Sequence, residues 1–271
     1  MYRLIFSDLD GTLFKFDFTI SPAVVQALRE VVDAGILLVA CTGRAFQQTT
    51  PLLDQIPTNA PVICGNGGVI VDPRTRRVLM EQASPVALAH EAIRVTPKEG
   101  VDLRICFDDL ETTLEYRPKE SRYVLSRARV VVQEVNDPFA SVVRPVHKIM
   151  LVPHSTADVP PLIAQLQVHF GSRANVLASS ARWIEIIPPG VSKAAAMAWL
   201  AQYLGVPQAE TLAMGDADND VEMLEWAAFG IAMGNAMPAA LAAADWVAPS
   251  VDDDGAAVAL RRFVLAAQKP A

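Results

Sequence analysis

Four short apolar runs in this chain end abruptly in polar turns. Arg3–Ser7 runs into Asp8-Leu9-Asp10-Gly11, and Ile36–Cys41 into Thr42-Gly43-Arg44. Val62–Cys64 meets Gly65-Asn66-Gly67, and Thr211–Met214 meets Gly215-Asp216-Ala217-Asp218-Asn219-Asp220. A continuous apolar run such as 36–41 reads as a strand covered on both faces. Helical signals lie between the runs. Ser21-Pro22 supplies an N-cap and a first-turn proline. Val24, Val25, Leu28, Val31 and Val32 make an apolar stripe, and Gly35 ends it. A second helix is expected over 45–55. Strands separated by helices of this length predict βαβ units and a parallel sheet.

The rhythm changes after Asn66. Val69-Ile70-Val71, the turn at 72–74 and Arg77-Val78-Leu79 predict a hairpin. The stretch 84–187 predicts helices at 85–95, near 119–127 and at 158–169. Its expected strands are 101–107, 112–116, 129–135, 147–152, 174–178 and 183–187. Pro188-Pro189-Gly190 breaks the pattern. Helices at 192–204, 219–227, 238–243 and 253–267 then alternate with strands at 211–214, 230–233 and 246–248. The economical organisation is one α/β domain, 1–83 plus 188–271, interrupted by an α+β domain at 84–187.

Composition narrows the function classes. The chain has 271 residues, 52% hydrophobic and 20% charged, enough for a sizeable core in one or two domains. A net charge of −7 argues against a broad nucleic-acid face, although a local cationic pocket is compatible with it. Cys41, Cys64 and Cys106 form no CxxC pair and no even set, as expected for a cytoplasmic protein. No apolar run approaches the ~20 residues of a membrane span. Asp8 arrives too early for a signal-peptide apolar region.

In an open parallel sheet, ligands bind beyond the carboxyl ends of the strands. Asp8, Asp10, Asp216 and Asp220 would converge there. Carboxylates so placed repel one another unless compensated, and a hard cation with oxygen ligands, Mg2+, is the natural compensation. Thr42 brings a hydroxyl beside main-chain N–H donors, Lys193 a point charge, and Asn219 an amide at a helix start. These parts suit a phosphoryl group in transfer. Each has a plainer reading: Asp8 and Asp10 as turn residues, Lys193 as a solvated helix start. Asn66 reads equally as a turn residue and as a substrate-side group. Arg44 reads equally as an ion-pair partner and a ligand contact. Asp218 reads as a loop residue and Cys41 as a small buried hydrophobe. The acidic run 252–254 is expected to cap the last helix. The four histidines show no ligand spacing.

Asp8-Leu9-Asp10-Gly11-Thr12-Leu13 resembles the opening motif of the haloacid dehalogenase-like (HAD) superfamily. Thr42-Gly43-Arg44, Lys193 and Gly215–Asp220 resemble its other three motifs, in order. The insertion falls where that superfamily carries a type C2 cap. Asn66-Gly67-Gly68, Pro189–Lys193 and Ala232-Met233-Gly234-Asn235-Ala236 resemble the Cof-type subfamily, class IIB, with a C2B cap. Ala194 stands where the family often has glycine, and 14–18 is more aromatic than usual.

The resemblance implies a Rossmann-like core with an inserted cap, and a Mg2+-dependent phosphatase of small phosphorylated metabolites such as sugar phosphates. Asp8 would be the nucleophile that forms an aspartyl-phosphate, and Asp10 the acid and then the base. Asp8, the Asp10 carbonyl and Asp216 would hold the metal, with Asp220 in support. Thr42, Gly43, Lys193 and Asn219 would bind substrate phosphate. Two other functions share the motifs: phosphosugar mutase-like transfer, and a non-catalytic phospholigand-binding protein. No nucleic-acid or membrane partner is implied, and oligomeric state is not legible. Arg104, Arg144, Lys148, Arg182 and Trp183 are the polar or aromatic candidates within the insertion.

Overall fold

The computed structural model describes residues 1–107, 112–116, 131–178 and 182–266. The helix expected near 119–127 and the start of the strand expected at 129–135 lie outside them. The chain divides into two compact units. One comprises Met1–Gly43, Thr50–Leu79 and Ser192–Ala271, the other Arg44–Thr49 and Met80–Val191.

The elements begin with β1 (Leu4–Ser7), α1 (Pro22–Asp33), β2 (Leu37–Ala40), α2 (Phe46–Leu53), β3 (Val62–Cys64), β4 (Val69–Val71) and β5 (Val78–Glu81). Then come α3 (Val86–Val95), β6 (Val101–Phe107), β7 (Thr112–Tyr116), β8 (Val131–Glu134), α4 (Pro138–Ser141) and β9 (Val146–Pro153). They are followed by α5 (Val159–Phe170), β10 (Asn175–Ala178) and β11 (Ile184–Ile187). The chain closes with α6 (Lys193–Tyr203), β12 (Thr211–Gly215), α7 (Val221–Trp226), β13 (Gly230–Ala232), α8 (Pro238–Ala243), β14 (Trp246–Val247) and α9 (Gly255–Leu260).

The first unit is built on a parallel sheet ordered β14-β13-β12-β1-β2. From β1 the chain moves outward to β2 on one side, whereas β12, β13 and β14 progress on the other. The order therefore reverses between β1 and β12, the switch point at which sheets of this kind bind ligands. Leu4, Ile5, Phe6, Val39, Leu212 and Ala213 are buried, which requires cover on both faces. Helix α1 starts as expected: the Ser21 hydroxyl accepts from Val24 N at 3.2 Å, and Pro22 occupies the first turn. It buries Val24, Ala27, Leu28 and Val31.

Three local expectations need correction. Strand β3 does not join the parallel sheet as a full member. A single bridge, Cys41 to Ile63, links it to the end of β2, and it pairs antiparallel with β4 in a sheet ordered β3-β4-β5. Gly65, Asn66 and Gly67 all take left-handed φ, so the chain folds straight back without a crossover helix. The run 252–254 does not cap the last helix with a side chain. Asp254 is itself left-handed there, the Ser250 hydroxyl accepts from Asp252 N, and Lys15 pairs with Asp252. Helix α9 is also shorter than expected and continues as a π-turn over Arg261–Leu265.

The second unit carries a six-stranded sheet, β10-β11-β9-β6-β7-β8, antiparallel except between β7 and β8. Leu103, Ile105, Ile149, Leu151, Ile184 and Ile186 pack with Ala89, Ala92 and Ile93 of α3 and with Leu162, Leu166 and Phe170 of α5. Alternate residues point to the opposite face, and there they are charged yet buried. Arg104 pairs with Glu115 directly across the strands at 2.7 Å, and Lys148 with Glu185 at 2.9 Å. Asp102 meets His154 at 2.8 Å. Among the described residues, no helix is long and apolar enough to cross a membrane.

A buried ion pair resists loss of one partner far more than replacement of both. Lys148→Met alone is expected to destabilise the protein by about 3–5 kcal/mol, because Glu185 is left buried and charged. Lys148→Met with Glu185→Leu should recover most of that loss in urea denaturation. Equal loss in the single and double variants would contradict the pairing.

Candidate active site

Strand register assembles the site. Ser7 is level with Met214 on one side and with Ala40 on the other. Asp8 and Cys41 therefore leave their strands at the level of Gly215, the last residue of β12, and Asp216 and Thr42 follow one step on. Main-chain bonds hold this level, from Asp8 N to Met214 O at 2.9 Å and from Cys41 N to Ser7 O at 2.8 Å.

At the centre is Lys193, the first residue of α6 and only 1% exposed. Its Nζ donates to Asp8 Oδ1 at 2.6 Å and to Asp220 Oδ1 at 2.5 Å. A lysine at the positive end of a helix is mildly disfavoured, and two buried carboxylates offset that. Burial alone would lower its pKa. Asp220 and then Asp8 outweigh burial and hold it well above the usual lysine range. The plain reading of Lys193 as a solvated residue is thereby excluded.

Asp220 is buried and accepts from three protein donors. Besides Lys193 at Oδ1, its Oδ2 accepts from Asp216 N at 2.9 Å and from Ala217 N at 3.0 Å. Those bonds shape the turn that carries Asp216. Asp216 in turn accepts from the Thr12 hydroxyl at 3.0 Å. Gly11 has φ +85°, and a Cβ there would collide with the Asp216 carboxylate. Glycine thus lets the first turn approach the last acidic loop.

Asp8, Asp216 and Asp220 offer ligand atoms within 4.8 Å of one another. Among the described residues, this is the one group of three or more His, Cys, Asp or Glu side chains so arranged. One lysine does not neutralise three carboxylates. Burial pushes Asp8 well above the usual carboxylate range, with Lys193 opposing and Asp220, Asp216 and Asp10 adding to the rise. Burial, then Asp220, push Asp216 up to about 7. Compact oxygen donors with surplus negative charge fit a hard divalent cation. The Asp10 side chain lies outside the triad and half-buried, in a turn closed by Gly11 N to Phe14 O at 2.8 Å.

The remaining expected residues gather at the same strand ends. Thr42 is buried, and its N–H donates to Ile63 O at 2.9 Å. A Cβ on Gly43 would come within 2.9 Å of Asn66 Oδ1. Asn219 donates from Nδ2 to Asn66 Oδ1 at 2.8 Å. Asp218 is exposed and opens a 3-10 turn, Asp218–Asp220. Cys41 is fully buried and its thiol pKa is raised by burial, which makes it inert. Each histidine has its own separate partner: Val142 O for His90, Glu81 for His147, Asp102 for His154 and Glu91 for His169. In the insertion, Arg104 and Lys148 are ion-paired, Arg104 lies 5.9 Å from the Trp183 ring, and Arg144 lies 4.4 Å from the Phe107 ring.

Sequence reasoning assigned no role to Thr12 or Asn235. The Asn235 amide donates to Gly11 O at 2.9 Å and its Oδ1 accepts from Val251 N at 2.8 Å. It staples the Asp10-Gly11 turn to the loop after β13. The Ala232–Ala236 segment is a motif in the sequence, but no periodicity shows which carbonyl a distant amide will find.

The electrostatics predict a pH dependence. The folded-state pKa of Asp216 lies above its value in the unfolded chain. Metal-free protein should therefore lose stability as pH rises from the ordinary carboxylate range to about 7. Removing that charge with Asp216→Asn should stabilise chelator-treated protein at pH 8 by about 1–3 kcal/mol. The gain should vanish when Mg2+ is added. A variant less stable than wild type in the chelator would show that the carboxylates are not in conflict.

Residues 5–260 match the family model for haloacid dehalogenase-like hydrolases. An HMP-PP phosphatase of Cronobacter sakazakii is 32% identical over 243 residues, covering 89% of this chain and 88% of that protein. The 5-amino-6-(5-phospho-D-ribitylamino)uracil phosphatase of Bacillus subtilis is 28% identical over 265 residues, covering 96% and 97%. A crystal structure of a haloacid dehalogenase-like hydrolase from Bacteroides thetaiotaomicron superposes with a TM-score of 0.83. It is 27% identical and covers 97% of this chain and 100% of that one. With an acidic cluster and a buried lysine at the switch point of the sheet, the chain belongs to the haloacid dehalogenase-like hydrolase family, in its Cof-type phosphatase branch.

Proposed function

We propose that the chain is a Mg2+-dependent phosphatase of small phosphorylated metabolites, sugar phosphates foremost, acting through an aspartyl-phosphate on Asp8. The observation that carries this reading is the buried set Asp8, Lys193, Asp220 and Asp216 at the carboxyl ends of β1 and β12. The ribitylaminouracil relative is named for a phosphate ester of a small metabolite, which supports the substrate class. Three free, buried cysteines support a cytoplasmic setting.

Lys193 engages Asp8 Oδ1, so Oδ2 is the oxygen for attack on phosphorus. The phosphorus–ester oxygen bond breaks as the Asp8–phosphorus bond forms. Asp10 gives its proton to the leaving oxygen. It then takes one from a water, whose oxygen attacks phosphorus and releases Asp8 and inorganic phosphate. A covalent step divides one hard displacement into two, and one acid/base group serves both halves. Lys193, the Thr42 hydroxyl, Gly43 and Asn219 would hold the phosphoryl oxygens.

Asp8, Asp216 and the Asp10 carbonyl would hold Mg2+. The three donors already bonded to Asp220 favour a supporting role for it. Bound there, the ion would neutralise charge gathering on the phosphoryl oxygens.

Chelation should abolish phosphate release from a panel of phosphorylated metabolites, and Mg2+ should restore it. Undiminished turnover after exhaustive chelation would falsify the metal requirement. Asp8→Asn should fold normally and lose on the order of 10⁴-fold or more in kcat. Asp10→Asn should also be slow and accumulate acid-stable phosphoprotein. Chromatography of the products separates phosphate release from isomer formation; isomers without phosphate would indicate a mutase.

A further inference from the structure

Asn66 is 1% exposed and left-handed, with φ 55° and ψ 31°. A turn alone explains that backbone, and glycine would serve it equally well. It does not explain the side chain. The Asn66 carboxamide lies between two loops, against the α-carbon of Gly43 and bonded at 2.8 Å to Asn219 Nδ2. The Asn66 N–H donates to Thr42 O at 3.1 Å. The next residue, Gly67, has φ +99° and lies against the carbonyl of Ser192, where a Cβ would collide. Ser192 is the N-cap of α6, one residue before Lys193. A single buried turn therefore touches the segments that carry Thr42 and Gly43, Lys193, and Asn219.

Asn219 has a further peculiarity. Its Oδ1 is buried and has no hydrogen-bond partner among the described residues. The bond to Asn66 is then the contact that fixes which way the Asn219 amide faces. An amide held at one end keeps its orientation only while that end is held.

We propose that Asn66 is a positioning residue for phosphoryl transfer: its side-chain carbonyl sets the orientation of the Asn219 amide. This rests on the reading that Asn219 meets the phosphoryl group. Asn66 itself touches no reacting atom in this assignment and acts through Asn219.

The test uses Asn66→Gly, which suits the left-handed turn and removes the side chain that carries the carboxamide. The full-length variant should keep the wild-type melting temperature. Its kcat should fall roughly 10- to 100-fold while KM changes by less than about threefold, the pattern of an interaction made chiefly in the transition state. Asn219→Ala should lose a similar factor. The double variant should be no slower than Asn219→Ala alone, because coupled residues are non-additive. Calorimetric titration with orthovanadate in Mg2+ gives a readout independent of turnover. Its affinity should weaken by a similar factor in both single variants and in the double variant. If wild-type protein hydrolyses no ester yet the vanadate pattern holds, the phosphatase reading fails and the positioning role stands. Wild-type kinetics and vanadate affinity in Asn66→Gly would overturn the proposal. So would multiplicative losses in the double variant, or a fall in melting temperature that accounts for the lost activity.

Discussion

Lys193 is buried between Asp8 and Asp220, and the first unit is organised around that contact. Asp8 is 185 residues away in sequence, at the end of β1, while Asp220 is 27 residues away, in the turn after β12. A buried ammonium with no partner carries a large desolvation penalty, and removing one member of a buried pair is strongly destabilising. The three groups therefore require one another. Their closure fixes where α6 begins as the chain returns from the insertion. It also fixes how the acidic loop after β12 stands against the turn after β1.

The same contact sets the charge balance of the site. Lys193 satisfies one oxygen of Asp8 and one of Asp220, while Asp220 uses its other oxygen on two main-chain amides. What remains is an excess of negative charge around Asp8 and Asp216 in a low-dielectric setting. A protein holds such an arrangement at a cost to stability and offsets it with backbone bonds and packing elsewhere. Thr12 and Asn235 belong to that offset: one bonds the Asp216 carboxylate and the other the Gly11 carbonyl.

The inserted unit solves a different problem. One face of its sheet is an ordinary apolar core against α3 and α5. The other buries Arg104 against Glu115 and Lys148 against Glu185. Buried pairs of this kind contribute little net stability but penalise any register that separates them. Arg104 and Glu115 face each other directly across β6 and β7, so a slip of one residue would bury two unpaired charges.

The sequence by itself determined the local elements and the chemical inventory. Apolar runs of three to six residues, the Ser21-Pro22 cap and the turns after each strand depend on neighbours in the chain, so β6, β7 and α8 are legible residue for residue. Asp8, Thr42 and Asp216 stand out at the polar ends of buried strands, and Lys193 at the start of the helix that follows the insertion. Only the tertiary structure decided what those residues touch. The antiparallel return of β3 follows from three consecutive left-handed residues. The threefold bonding of Asp220, the staple made by Asn235 and the seat of Asn66 against Asn219 each join segments far apart in the chain. Hydrogen bonds of that kind depend on strand register and on the level at which each strand ends. Those are set by the packing of the whole sheet, and no pattern in neighbouring residues encodes them.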